Sequence, residues 1–260
     1  MIILLHSSKT MRTSSDETSL LRSPIFLKDA VLLNAYLKNL NTDDIAKIMK
    51  IKPVLADKTK KLIDAWTSEP VRQQPAIDAF LGDIYSGLQA NSLNTSDREY
   101  ANKSLIILSG LYGLIRPLDG IMPYRLEMAY KLPGFETPNL YTYWGSNIAE
   151  QIPKNEAILN LSSVEYSKVI TDYVDPARII TPKFLTLHPV TKQPTFVVVH
   201  AKIARGAFAH WAIKHRLNDA SDIKLFDELG YKFNETQSTV NNPVFICNEF
   251  KGLGLSVRLS

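Results

Sequence analysis

The chain has 260 residues, of which 45% are hydrophobic and 22% charged, with a formal net charge of +4. That length can bury a sizeable core without covalent staples, in one large domain or two small ones. A single cysteine, Cys247, excludes an intrachain disulfide and a cysteine-only metal site, and points to a reducing compartment.

The start, MIILLHSSK, has four apolar residues after Met1 and no basic lead. It is too short for a signal-peptide core, and no later run approaches a membrane span. A cytoplasmic protein with no membrane association is expected. Ile2–Leu5 reads as a buried strand. Lys9 follows it among small hydroxyl residues, His6-Ser7-Ser8-Lys9-Thr10, which suits an anion although the glycines of a P-loop are missing. Met11–Ser23 is polar and rich in Ser and Thr.

Pro24–Ala90 reads as mostly helical. Leu32, Leu33, Tyr36, Leu37 and Leu40 form one face of a helix over Leu27–Leu40. Asn41-Thr42-Asp43 offers caps for a short helix over Asp44–Ile51, which Pro53 ends. The pattern resumes over Val54–Trp66 and again over Pro75–Ala90. Two glycines interrupt this last segment in Gly82-Asp83-Ile84-Tyr85-Ser86-Gly87-Leu88. Either the helix packs closely there, or it breaks and exposes Asp83 and Tyr85. Ser96 and Glu99 have capping-box spacing for a helix to about Lys103. Ser104–Leu108 completes that helix or forms a strand. Asn139–Ile152 reads as a helix whose Tyr141, Tyr143 and Trp144 belong to the core.

The second half is richer in strands: Ala157–Leu161, Ile179–Leu187, Thr195–His200 and Pro243–Asn248. Pro189–Pro194 reads as a hairpin turn, and a helix is expected over Ala201–Leu217. The first strand is expected to pair with the later ones. The resulting fold class is mixed α/β (α+β): a single compact domain over residues 1–260, with a mixed sheet and flanking helices.

Charge is unevenly spread. From Pro176 to Asn218 there is no Asp or Glu, but there are seven basic residues, so the rest of the chain sums to −3. Such a concentration is the footprint of a phosphate or nucleic-acid partner, or a solvated face. On the predicted helix, Lys202, Arg205, Ala209 and Arg216 fall within about a 60° arc. A basic stripe with small residues between suits a polyanion. Ala204, Phe208, Trp211 and His215 fall on another, inward face. The histidines do not have metal-ligand spacing, and no metal is expected. No nucleophile elbow, GxGxxG or Walker A motif occurs, and no cofactor is expected. Asp83, Glu127 and Glu165 are acid or base candidates, each beside tyrosine or arginine.

The densest set of backbone constraints is Ser109–Met128, SGLYGLIRPLDGIMPYRLEM, with Gly110, Gly113 and Gly120, two prolines, Arg116 and Arg125. Leu108–Gly113 is comparable to the hairpin of a helix-hairpin-helix element, although Pro117 permits only a very short second helix.

Several segments recur in one order: Ser-Lys-Thr after the first strand, GDIYSGL at Gly82–Leu88, the Ser109–Met128 block, Tyr143-Trp144-Gly145, NLSSVEYSK at Asn160–Lys168 and AKIARG at Ala201–Gly206. Together they resemble the YaaA family of peroxide-stress-resistance proteins over nearly the whole chain. The sequence departs from the family at His6-Ser7-Ser8, where Ser-Pro-Ala is usual before Lys9. The resemblance implies a cytosolic protein that limits iron-driven oxidative damage. It also implies a positively charged cleft and binding of double-stranded DNA through a helix-hairpin-helix-like element.

No catalytic residue comes with the family. Motif position and charge nominate Lys9, Arg116, Arg125, Lys202 and Arg205 for nucleic-acid or phosphate binding, with Gly110, Gly113, Glu127 and Glu165 in support. The leading expectation is non-specific binding to DNA backbone. The alternative is an enzyme acting on a phosphate-bearing small molecule or nucleotide in the same cleft, with Glu127 or Glu165 as acid or base.

Overall fold

A computed structural model describes residues 1–12 and 21–255. Most of the polar segment Met11–Ser23 lies outside the described residues. The fold is built on the first strand, Ile2–His6, whose residues Ile2 to Leu5 are almost wholly enclosed. It pairs in parallel with Leu105–Ser109 on one side and with Ile158–Asn160 on the other. Ile179–Ile180 extends the sheet in parallel at one edge, and Gly113–Ile115 closes the other edge antiparallel to Leu105–Ser109. Strands buried on both faces need continuous apolar runs. LIIL at Leu105–Leu108 is such a run, which decides between its two readings in favour of a strand.

The strand order has a consequence for function. After the first strand the chain leaves to one side, reaching Leu105–Ser109. It later returns to the other side of the first strand as Ile158–Asn160. The loops at the carboxyl ends of these neighbours therefore diverge and leave a crevice, the usual ligand position in open parallel sheets.

A second sheet has the order Pro194–Thr195, Lys183–Leu187, Val244–Cys247, Tyr231–Phe233. The Ile179–Leu187 run is thus divided between two sheets. Phe184, Phe208, Phe226 and Phe245 pack ring against ring between this sheet and the long helix Val198–Lys214. One hydrophobic core runs through both sheets, so the mixed α/β reading and the single compact fold hold.

Local expectations fare unevenly. The helices Leu27–Lys38, Thr42–Met49 and Pro53–Ala65 form as expected, the second capped by Asn41. Leu32 is exposed, however; Ala30 and Asn34 share the buried face with Leu33 and Leu37. The capping box is formed by Asn94 and Asp97, two residues before the expected Ser96 and Glu99. Asn is as good an N-cap as Ser, and Asp97 at that position also reaches Lys214 at the end of the long helix and Arg216 just beyond it.

The helix expected over Pro75–Ala90 is broken: Ala76–Ala79 makes one turn, Phe80–Leu81 is extended, and Asp83–Leu88 forms a second short helix. Gly82, at φ +107, makes the break in a conformation that L side chains rarely adopt. The Asn139–Ile152 helix stops after Leu140–Trp144 at Gly145, and a short 3-10 turn follows at Ala149–Gln151. The strand expected over Thr195–His200 is only Pro194–Thr195, because the long helix starts early, at Val198. Burial of Ile203 and Ala204 outweighs the β-branched run in the first turn.

Candidate functional site

Two loops meet at the crevice, and a third segment closes over them. Ser7–Thr10 leaves the first strand, Asn160–Ser163 leaves its parallel neighbour, and Leu81–Tyr85 faces both. They enclose a recess of about 440 Å³ lined by Ser7, Ser8, Lys9, Asp83, Tyr85, Glu127, Glu165, Tyr166 and Lys202, with His6 and Ser163 at its base. Short pairing of Thr10 with Leu81 and Met11 with Phe80 fixes the lid segment to the first loop. Gly82 lies under Ser8: a Cβ there would approach Ser8 Oγ at 3.3 Å.

His6 is the best-anchored group. Its Nδ1 accepts from the Ser163 backbone N–H at 3.2 Å and lies 3.3 Å from Ser162 Oγ. The ring stacks on Tyr166 at 4.9 Å, and the His6 carbonyl accepts from the Tyr85 hydroxyl at 2.9 Å. Burial, then the charges of Arg205 and Lys202, push its pKa down to about 3. The imidazole is therefore neutral, and with Nδ1 accepting from an amide it carries its proton on Nε2.

Glu127 presents a carboxyl that is 7% exposed. Lys9 Nζ lies 3.8 Å from its Oε2, and Tyr166 hydrogen-bonds to its side chain. Burial raises its pKa; Lys9 works against that, and the neighbouring Glu165 charge adds to it. Glu165 Oε1 accepts from the Ala129 amide at 3.2 Å. Behind the carboxylates runs a line of buried hydroxyls. Ser7 Oγ donates to the Tyr166 hydroxyl at 3.3 Å, and Ser109 Oγ lies 2.6 Å from the Tyr124 hydroxyl.

The nominated residues separate into three groups. Lys9, Lys202, Glu127 and Glu165 all line the recess, as does Asp83. Arg205 sits beside His6, and Arg125 reaches the Lys9 carbonyl at 3.5 Å from the rim. Arg116 is not brought to this cleft. Because Gly113–Ile115 runs antiparallel to Leu105–Ser109, Arg116 emerges at the opposite end of the sheet, where its guanidinium donates to the Asn102 carbonyl at 3.2 Å. Arg216 leaves the basic stripe as well: with Lys214 it holds Asp97, at 2.9 and 2.8 Å. Ala209, in the same arc, is fully buried, and His215 is exposed rather than inward.

Gly110 and Gly113 bracket a tight turn between two antiparallel strands, so a β-hairpin stands where a helix-hairpin-helix element was compared. A Cβ on Gly110 would overlap the Leu126 carbonyl, and Gly113 has φ +65. Gly110 lets the 126–127 segment, and with it Glu127, lie against the turn, whereas Gly113 faces the Trp144 ring. The recess lining is of mixed sign, two lysines against three carboxylates, rather than uniformly positive.

His6 and Tyr166 escaped the sequence reading as site residues. Their one signal was position: His6 ends the first strand three residues before Lys9, and Tyr166 adjoins Glu165 in the helix that follows the parallel neighbour. Among the described residues no three His, Cys, Asp or Glu side chains converge as a metal centre requires, and no helix is long and apolar enough to cross a membrane.

The model of the family described as peroxide stress protein YaaA matches residues 1–237. The chain belongs to this family. Among its relatives are proteins described as UPF0246 proteins. One from Salinispora tropica is 49% identical over 99% of this chain and 98% of its own length. One from Aliivibrio fischeri is 37% identical over 94% and 97%, and one from Clostridium perfringens is 38% identical over 94% and 99%. The residues that the family model matches include the whole five-stranded sheet and every segment of the recess.

Proposed function

We propose that this YaaA-family protein serves the peroxide-stress response by acting on a small phosphate-bearing molecule or nucleotide held in the recess. The observation that supports this most is Glu127: a buried carboxyl between a lysine and a tyrosine, facing a recess of about 440 Å³. That volume falls in the range of small-molecule sites, whereas a DNA duplex needs an opening of about 20 Å. Lys9 and Lys202 hold the anion, helped by the hydroxyls of Ser7 and Ser8. Glu127, its proton affinity raised, exchanges a proton with the bound substrate. Neutral His6 fixes the two loops through the Ser163 amide. The limiting of iron-driven damage then follows indirectly, through the product or depletion of that substrate.

The test is thermal stabilisation by nucleoside phosphates compared with a short duplex, at low and high salt. Bound ligand raises the apparent Tm by mass action. Stabilisation by a nucleotide that Lys202→Ala removes supports the recess. Stabilisation by duplex alone sinks it.

The second reading is non-specific binding to DNA backbone. It is favoured by cations that take part in none of the ion pairs within 4.0 Å among the described residues, namely Lys202 and Arg205 by the recess and Lys47, Lys50 and Lys131 beyond it. Phosphate contacts give affinity that falls steeply with salt. Under this reading Arg205→Ala weakens binding to unrelated duplexes alike; equal affinity for variant and wild type, or indifference to salt, excludes it.

A further inference from the structure

Beyond Lys9 the recess continues into a second, larger hollow of about 890 Å³. The two share Lys9, Glu127 and Glu165, so both open onto the same pair of carboxylates. Their linings differ in kind. The recess is walled by hydroxyls and charges. The outer hollow is walled by Ile48, Leu132, Phe135 and Pro138, with Tyr130 beside them and, among its charged lining, Lys47, Lys50 and Lys131 against the single further carboxylate of Glu136. None of these three lysines is in an ion pair within 4.0 Å among the described residues.

The outer wall is held in shape. Leu132 and Pro138 are joined by a backbone hydrogen bond of 2.9 Å, and the Phe135 amide donates to the Leu132 carbonyl at 3.1 Å. The Tyr36 hydroxyl donates to the Pro133 carbonyl at 2.9 Å. The Phe135 ring packs on Tyr36 and Tyr143 at 5.0 and 5.5 Å. The loop is also tied to the recess, because Glu165 Oε1 accepts the Ala129 amide at the loop's start. A wall fixed before binding loses little entropy when a ligand arrives.

We infer that the outer hollow is the second half of one ligand site, and that the ligand is a nucleoside polyphosphate or dinucleotide rather than a sugar phosphate or a free anion. The inference rests on the recess binding a phosphate-bearing molecule. One phosphate lies between Lys9 and Lys202. The base lies on the apolar floor of Ile48, Leu132 and Phe135, a surface suited to a flat ring. Lys47, Lys50 and Lys131 take the remaining phosphate charge at the edge. A ligand confined to the recess would leave this apolar floor and its three cations without use.

Isothermal titration with three probes, adenosine 5′-diphosphate, ribose 5-phosphate and inorganic phosphate, tests it in wild type and in the double variant Lys47→Glu, Lys131→Glu. Both substitutions are on exposed side chains, and circular dichroism checks the fold. The expected result is that the diphosphate binds wild type at least about tenfold more tightly than ribose 5-phosphate. The double variant removes that advantage while ribose 5-phosphate keeps its affinity within about twofold. Equal affinity of the two organic probes for wild type overturns the outer site and leaves the recess reading standing. A double variant that weakens all three probes alike also overturns it, since the lysines then act only as a general field. Failure of all three probes to bind overturns both the recess reading and this one.

Discussion

Gly206 of the long helix lies directly against the carbonyl of Ile84, so that a methyl group on Gly206 would overlap that oxygen. The relation is reciprocal: a methyl group on Gly87 would overlap the carbonyl of Ile203. The two helices cross backbone to backbone, which places Lys202 on one opposite Asp83 and Tyr85 on the other. Gly206→Ala must therefore part the helices. The expected cost is about 1–3 kcal/mol, the usual penalty of overpacking, seen as a lower urea midpoint at unchanged slope. A midpoint equal to that of wild type would show that the crossing yields freely.

His6 gives a pH prediction whose sign follows from its depressed proton affinity. The unfolded chain takes up this proton near 6.5, the folded chain only near about 3. Between these values the unfolded state binds more protons, so His6 contributes stability above pH 6.5 that is lost progressively as pH falls toward 3. Asp119, raised by burial to about 6, and Glu127, also raised, oppose this in the same interval. The difference between wild type and His6→Asn isolates the term: it shrinks as pH is lowered from 7 to 4. Imidazole nitrogen shifts in NMR check the cause, and a His6 that titrates near 6.5 would refute it.

The buried hydroxyl pair of Ser109 and Tyr124 is a separate stability test. The two oxygens are 2.6 Å apart, and Ser109 Oγ also accepts the Tyr112 amide at 3.0 Å. Tyr124→Phe keeps the ring contacts with Tyr112 and Phe80. It leaves a buried polar oxygen short of a partner, which costs about 1–3 kcal/mol. Urea unfolding measures it. A variant as stable as wild type would mean that Ser109 is satisfied without the phenol.

The sequence made the recess legible where sheet topology and local chain order coincide. Lys9, Glu127, Glu165 and Lys202 were nominated from short segments following strands or opening a helix, and the parallel sheet gathers those segments at one end. Arg116 failed for a reason no local pattern carries. It shares a twenty-residue block with Arg125, but the hairpin at Gly110–Gly113 reverses the chain and delivers the two arginines to different ends of the sheet. The broken helix at Gly82 was half legible: the two glycines signalled a break or a close contact, and the chain uses one for each. The role of His6 was not legible, because it depends on an amide 157 residues away.

A substitution at Glu127 tells a functional carboxylate from a structural one. Burial raises its pKa above the ordinary 4.5, with Lys9 only partly compensating. A carboxyl with a raised folded pKa favours the native state while protonated, and that contribution disappears as pH rises through the folded value. At pH 8 the native protein therefore carries an ionised group that burial disfavours. Glu127→Gln removes the charge and keeps the shape. The expected result is a native state more stable than wild type at pH 8 by on the order of 1 kcal/mol, a common gain for a single stabilising substitution, read as a higher Tm. The gain should narrow toward pH 4.5. The same variant should lose the thermal stabilisation by nucleotide that depends on pH while keeping binding through Lys202. If Glu127→Gln instead lowers the Tm at pH 8, the Lys9–Glu127 pair is a structural ion pair, and the acid–base role falls to Glu165 or Asp83.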